Sequence, residues 1–244
     1  MKIFQKYAAE FFGTFILVGI GTGTILSVGG LSDAASILAI ALAFGLALAT
    51  ALYMLGPVSG GHFNPAVSLA AFLDRRIGFI DMIGYWVMQV AGALSAAALY
   101  AWVLNREAVG ATYLTPNVSQ LSAFVAEALF TLVFVFAVLV LGKHEGNGKY
   151  IGMGLALTAV NMVGLVFTGA GVNPARSFAP ALVGGTWDGF WVFIAGPALG
   201  AIVAWALYKI IFEGDLKLGD DVIAIKDAVV EDTMGAVEDV KEAF

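Results

Sequence analysis

Two tripeptides carry the chemistry open to this 244-residue chain: Asn64-Pro65-Ala66 and Asn173-Pro174-Ala175. Asparagine is a preferred helix N-cap and proline suits the first helical position, so each tripeptide reads as the start of a short helix. If the cap oxygen accepts a backbone N–H of its own helix, the side-chain NH2 is left to donate. Two such starts brought together would aim two amide donors and two positive dipole ends into one space. A neutral oxygen accepts from those donors, while a cation meets a repulsive field. That is the chemistry of selective passage. Little points to catalysis or metal binding, because the chain has no cysteine, only two histidines (His62 and His144) and no acid–base or nucleophile constellation. No enzyme activity, cofactor or metal is expected. Gly19-x-Gly21-x-Gly23 lacks the preceding strand and the lysine of a nucleotide loop.

The elements that position these motifs must lie in a membrane. The chain is 60% hydrophobic and 12% charged, whereas soluble domains carry about 25% charged residues. The net charge of −6 disfavours nucleic acid as a partner. Its acidity is concentrated in residues 213–244, where ten acidic and three basic residues give −7; residues 1–212 carry eight and nine, giving +1. Six apolar stretches are long enough to cross a bilayer, near 8–28, 36–55, 79–103, 121–142, 149–168 and 188–212. Lys2, Lys6, Arg75, Arg76, Lys143, Lys149 and Lys209 fall in alternate connections, against Arg106 and Arg176 in the others. The positive-inside bias then places both termini in the cytoplasm. Segments 56–73 and 169–183 are too short and too broken by glycine and proline to span, and read as re-entrant. The tail, 213–244, has Val222, Ile225, Val229, Val237, Val240 and Phe244 near helical spacing with acids between, which suits an amphipathic helix for a partner or the oligomer. The first expectation is a solvated, partly disordered extension of the channel domain, 1–212.

The two halves, about 1–105 and 118–212, repeat. Ala9-Glu10 with Thr14 recurs as Ala126-Glu127 with Thr131, the ten residues from Ser59 recur from Thr168, and Ala91-Gly92 recurs as Ala195-Gly196. Three spans per half is an odd number, so the second copy must enter the membrane inverted, and a site is expected where the copies meet at the midplane. The expected fold class is an all-α membrane protein of six transmembrane helices plus two re-entrant half-helices. Gly92-x-x-x-Ala96 and Gly196-x-x-x-Gly200 allow close helix crossings.

The paired NPA motifs, AEF-x-GTF, SGGHFNPAVS and NPARSFAPA resemble the aquaporin (major intrinsic protein) family over about residues 5–212. The resemblance implies a cell-membrane homotetramer with one pore per subunit, conducting water and excluding protons and ions. It implies a selectivity filter at Phe44, Asn161, Ala170 and Arg176, with His62 lining the cytoplasmic half of the pore. It also implies that Glu10 and Glu127 accept N–H groups from the re-entrant segments, whereas a proton-coupled transporter would use them as relays. Gln89 has the same bracing role or is a packing contact. Water channels of the family usually carry histidine where Asn161 stands, and glycerol facilitators usually carry glycine. Ser177 after the arginine, Phe193 and the short run from Ala175 to Trp187 favour water; Ile194 does not. Passage of water and secondarily of small neutral solutes is the first expectation, a glycerol facilitator the second and a proton-coupled transporter a distant third.

Overall fold

A computed structural model describes residues 3–104, 112, 117–214 and 218–242. Its elements are α1 (Ile3–Ser27), α2 (Ala34–Ser59), α3 (Pro65–Leu73), α4 (Phe79–Leu104), α5 (Gln120–Leu141), α6 (Gly148–Thr168), α7 (Pro174–Gly184), α8 (Val192–Tyr208) with a π turn (Lys209–Glu213), and α9 (Leu218–Glu242). At 1.5 Å per residue, the 25 residues of α1 reach about 38 Å, enough for a bilayer core about 30 Å thick. The described residues contain six helices of that length and apolarity, matching the six expected spans, and form no strand. This is a multi-pass, all-α membrane protein. α2 outruns its expected end at 55 because Gly56 and Pro57 continue the helix to Ser59, where Gly60 caps it in the left-handed region.

The order long, long, short, long occurs twice, in α1–α4 and in α5–α8. The packing repeats as well: α1 lies on α2 and α4, and α5 on α6 and α8. Across the halves α2 packs on α6, α3 on α8 and α4 on α7. Lys6 of α1 pairs with Asp81 of α4, whereas Arg76, just before α4, donates to Leu139 O at the end of α5. α1 therefore begins at the end of the molecule where α5 finishes, so the second half is upside down relative to the first.

Small residues set the crossings. A Cβ on Gly92 would lie on the carbonyl oxygen of Phe11, and one on Gly200 on that of Ala128. One on Gly196 would stand 2.7 Å from Glu127 Cβ. The expected close approach at both motifs is present, and carbon-to-backbone contact replaces the side-chain interdigitation that larger residues would impose. Gly45 and Gly154 serve the α2–α6 crossing in the same way, with a Cβ on Gly154 falling 2.5 Å from Gly45 O.

The tail follows the second of the two expectations, a helix, rather than the first. It is the continuous helix α9, and it docks on the body through the Asp221–Arg75 pair (3.3 Å) and through Asp232, whose carboxylate accepts the N–H of Phe79 at 2.6 Å. Asp232 thus supplies the N-terminus of α4 with an acceptor its own sequence lacks. Ile225 packs against the core, while Val222 and Val237 are exposed. The side chain of Val240, Phe244 and the connection charges Lys2 and Arg106 lie outside the described residues.

Candidate functional site

The chain between α2 and α3 runs through the protein interior, so its N–H groups need partners other than water. Glu10, fully buried in α1, supplies them. Its oxygens accept from His62 N (2.9 Å), Phe63 N (2.7 Å), Ser59 Oγ (2.6 Å) and Gln89 Nε2 (2.8 Å). Glu127 of α5 does the same for the loop before α7, accepting from Gly171 N (2.8 Å), Val172 N (2.7 Å) and Thr168 Oγ1 (2.6 Å). Every partner of either carboxylate is a donor, as an ionised acceptor requires. Those bonds hold Phe63 (φ 50°) and Val172 (φ 54°) in the left-handed region, a conformation costing non-glycine residues about 1–2 kcal/mol.

Each loop delivers its asparagine to a helix start. Asn64 Oδ1 accepts Ala66 N at 2.8 Å, and Asn173 Oδ1 accepts Ala175 N at 3.0 Å and Arg176 N at 3.3 Å. Pro65 and Pro174 occupy the first helical positions. The caps match expectation. The NH2 groups differ from it in one respect: each sends one N–H across the repeat interface, Asn64 Nδ2 to Val172 O (3.1 Å) and Asn173 Nδ2 to Phe63 O (2.8 Å). One N–H per amide then remains for the lumen. The sequence could not show this second use, because it depends on the two loops meeting.

Both asparagines line a narrow cavity of about 20 Å³ between the halves, together with Phe44, His62, Asn161, Ala170 and Arg176. All four residues expected to form a filter are thus brought to one lumen. Arg176, 2% exposed, lies with its guanidinium 5.3 Å from the Phe44 ring centroid and donates to Gly169 O at 3.4 Å. Asn161 returns one N–H to Leu157 O (2.9 Å) and keeps its carbonyl oxygen. His62 borders this lumen and also a wider vestibule of about 250 Å³, lined by Arg76 and Lys149.

A family model described as "Major intrinsic protein" matches residues 1–208. The chain belongs to the major intrinsic protein family. The family consists of membrane channels, and relatives follow both of its branches. This channel is 41% identical over 209 residues to "Glycerol uptake facilitator protein-like 6" of Lactiplantibacillus plantarum, covering 82% of this chain and 94% of that one. It is 36% identical over 237 residues to "Aquaporin-5" of Mus musculus, covering 93% and 88%. Its fold matches the aquaglyceroporin of Plasmodium falciparum with a TM-score of 0.76 at 23% identity, over 86% of this chain and 97% of that chain.

Sequence reasoning undervalued several residues that build this site. Gln89 is no mere packing contact, since it bonds to Glu10. Ser59 and Thr168 occupy matching repeat positions, and both donate to their carboxylates. Gly13 makes room for the Phe63 ring and Gly21 for the Phe44 ring, with which any Cβ would collide. The repeat alignment carried the signal for the Ser59–Thr168 pair. For the glycines no local signal exists, because the colliding rings come from other elements.

Proposed function

We propose that this protein is a passive channel for water and, secondarily, for small neutral solutes such as glycerol, and that it excludes protons and cations. The observation that carries this reading is the convergence of two capped helix starts on one narrow lumen that a buried arginine borders. The free N–H of Asn64 and of Asn173 would orient a passing oxygen. The dipole ends of α3 and α7, with Arg176, would repel hydronium and metal cations. Phe44, Asn161, Ala170 and Arg176 would form the filter. Glu10 and Glu127 would act as braces rather than proton relays, which their full sets of donors support.

A glycerol facilitator is the second reading, favoured by the similarity to the Lactiplantibacillus protein and by the modest size of Asn161. A stopped-flow comparison of water and glycerol in proteoliposomes tests both. Rapid shrinkage in an impermeant osmolyte with slow re-swelling in glycerol supports the water channel; re-swelling as fast as the shrinkage supports the facilitator. Asn161→His should narrow the lumen and depress glycerol flux about tenfold relative to water flux, a barrier change of roughly 1.4 kcal/mol. Equal loss of both fluxes would mark a misfolded variant, whereas an unchanged glycerol-to-water ratio at full water flux would refute this filter assignment. In the same reading both termini are cytoplasmic, since Lys6, Arg75, Arg76, Lys143, Lys149 and Lys209 gather at one end of the bundle. The assembly is a homotetramer in the cell membrane, each subunit holding its own pore and its annular lipid.

A further inference from the structure

The two repeats differ at several positions beside the lumen, Val67 against Arg176 among them, and two of those differences touch each other through a shared serine position. Where the second has Gly171 and Phe193, the first has His62 and Gln89. Gln89 is fully buried, and its Nε2 lies 2.8 Å from Glu10 Oε2 and 2.9 Å from Ser68 Oγ. A flipped amide would set a carbonyl oxygen against the carboxylate, so Glu10 fixes which end of Gln89 points inward. The amide has two N–H groups, one for each partner. Ser68 Oγ therefore accepts from Gln89, and its own proton is left for its other neighbour, His62 Nδ1, at 3.0 Å. A ring nitrogen that accepts carries no proton, which assigns the proton of the neutral imidazole to Nε2. Nε2 has no hydrogen-bond partner among the described residues, while the residue lines both the narrow lumen and the vestibule. The Tyr85 ring, edge-on to the imidazole at 5.2 Å between centroids, restricts its rotation.

We propose that Gln89, acting through Ser68, is a positioning residue that holds His62 in the Nε2–H tautomer and presents that N–H to molecules entering the narrow lumen from the vestibule. The inference rests on reading this lumen as the permeation path. It gives the path a third oriented donor, offset from the two asparagines, and confines it to one half of the pore. The second repeat has no counterpart: with Phe193 at the position of Gln89, Ser177 Oγ is buried without a hydrogen-bond partner.

Nitrogen-15 NMR of histidine-labelled protein in lipid tests the tautomer directly. His144, in the connection between α5 and α6, is removed as His144→Gln so that His62 alone contributes signal. The parent should show one protonated nitrogen, Nε2, and one hydrogen-bonded, unprotonated Nδ1. Ser68→Ala deletes only a hydroxyl and should give a mixture of tautomers, as should Gln89→Leu. Each should lower water permeability about three- to tenfold, the rate equivalent of one ordinary hydrogen bond. Ser68→Thr restores the hydroxyl and should restore the single tautomer. A protonated Nδ1 in the parent overturns the proposal, and so does an unchanged tautomer in Ser68→Ala. Gln89→Leu counts only if it inserts and folds; Ser68→Ala decides the matter without it. The spectrum does not depend on flux, so a parent with the expected tautomer but no water permeability would fault the channel reading and leave the positioning intact.

Discussion

At the scale of single residues, the buried charges divide the work. Glu10 and Glu127 face only donors and hold backbone, whereas Arg176 faces the lumen. Removing one member of a buried charged set leaves the others uncompensated, at a cost of about 3–5 kcal/mol. Arg176 differs from the two carboxylates because its surroundings include the narrow space itself. Arg176→Ala should therefore both widen that space and remove its fixed positive charge. Proton or cation leak should rise about tenfold or more, the effect of a barrier lowered by roughly 1.4 kcal/mol, read as dye-reported pH change in proteoliposomes. An unchanged leak with unchanged glycerol flux would remove Arg176 from the filter.

At the scale of elements, backbone approach decides which helices can cross. Gly92→Ala places a methyl against the Phe11 carbonyl of α1, and neither backbone can yield without moving a whole helix. The expected cost is about 1–3 kcal/mol, seen as a lower midpoint of thermal unfolding in detergent. Gly148→Ala is the contrast: its Cβ would meet nothing at the start of α6, so its effect should be neutral or stabilising by up to about 1 kcal/mol. The spans, the half-helices and these small-residue crossings were legible in the sequence, because hydropathy, proline breaks and spacing are properties of consecutive residues. The α2–α6 crossing was only half legible. Gly45-Leu46-Ala47-Leu48 recurs as Gly154-Leu155-Ala156-Leu157, in register with the NPA repeat, but the match does not say that the two glycines face each other until two distant helices meet. That Phe44 and Asn161 would line one cavity with Ala170 and Arg176 was legible only through family resemblance: nothing near either distinguishes it from any other apolar-span aromatic or amide. The second duty of the cap amides was hidden for the same reason, its partners lying 108 and 110 residues away.

At the scale of the whole molecule, the acidic segment is tied to the body it follows. Asp232 accepts the first N–H of α4, and Asp221 pairs with Arg75 one turn of connection away. Asp232→Ala should cost about 0.5–2 kcal/mol, as loss of a helix cap does, and should speed amide exchange along α9 and at Phe79 together. Asp232→Asn keeps an acceptor and should behave nearly as the parent; faster exchange confined to α9 would mean that α4 does not rely on this cap. The exchanged amide bonds between Asn64 and Val172 and between Asn173 and Phe63 carry a different implication, one for biosynthesis. Neither half contains the acceptor for its own asparagine, so residues 3–104 made first cannot finish their loop. The lumen comes into being only when the second half arrives, and two halves expressed as separate chains should each wait, incomplete, for the other.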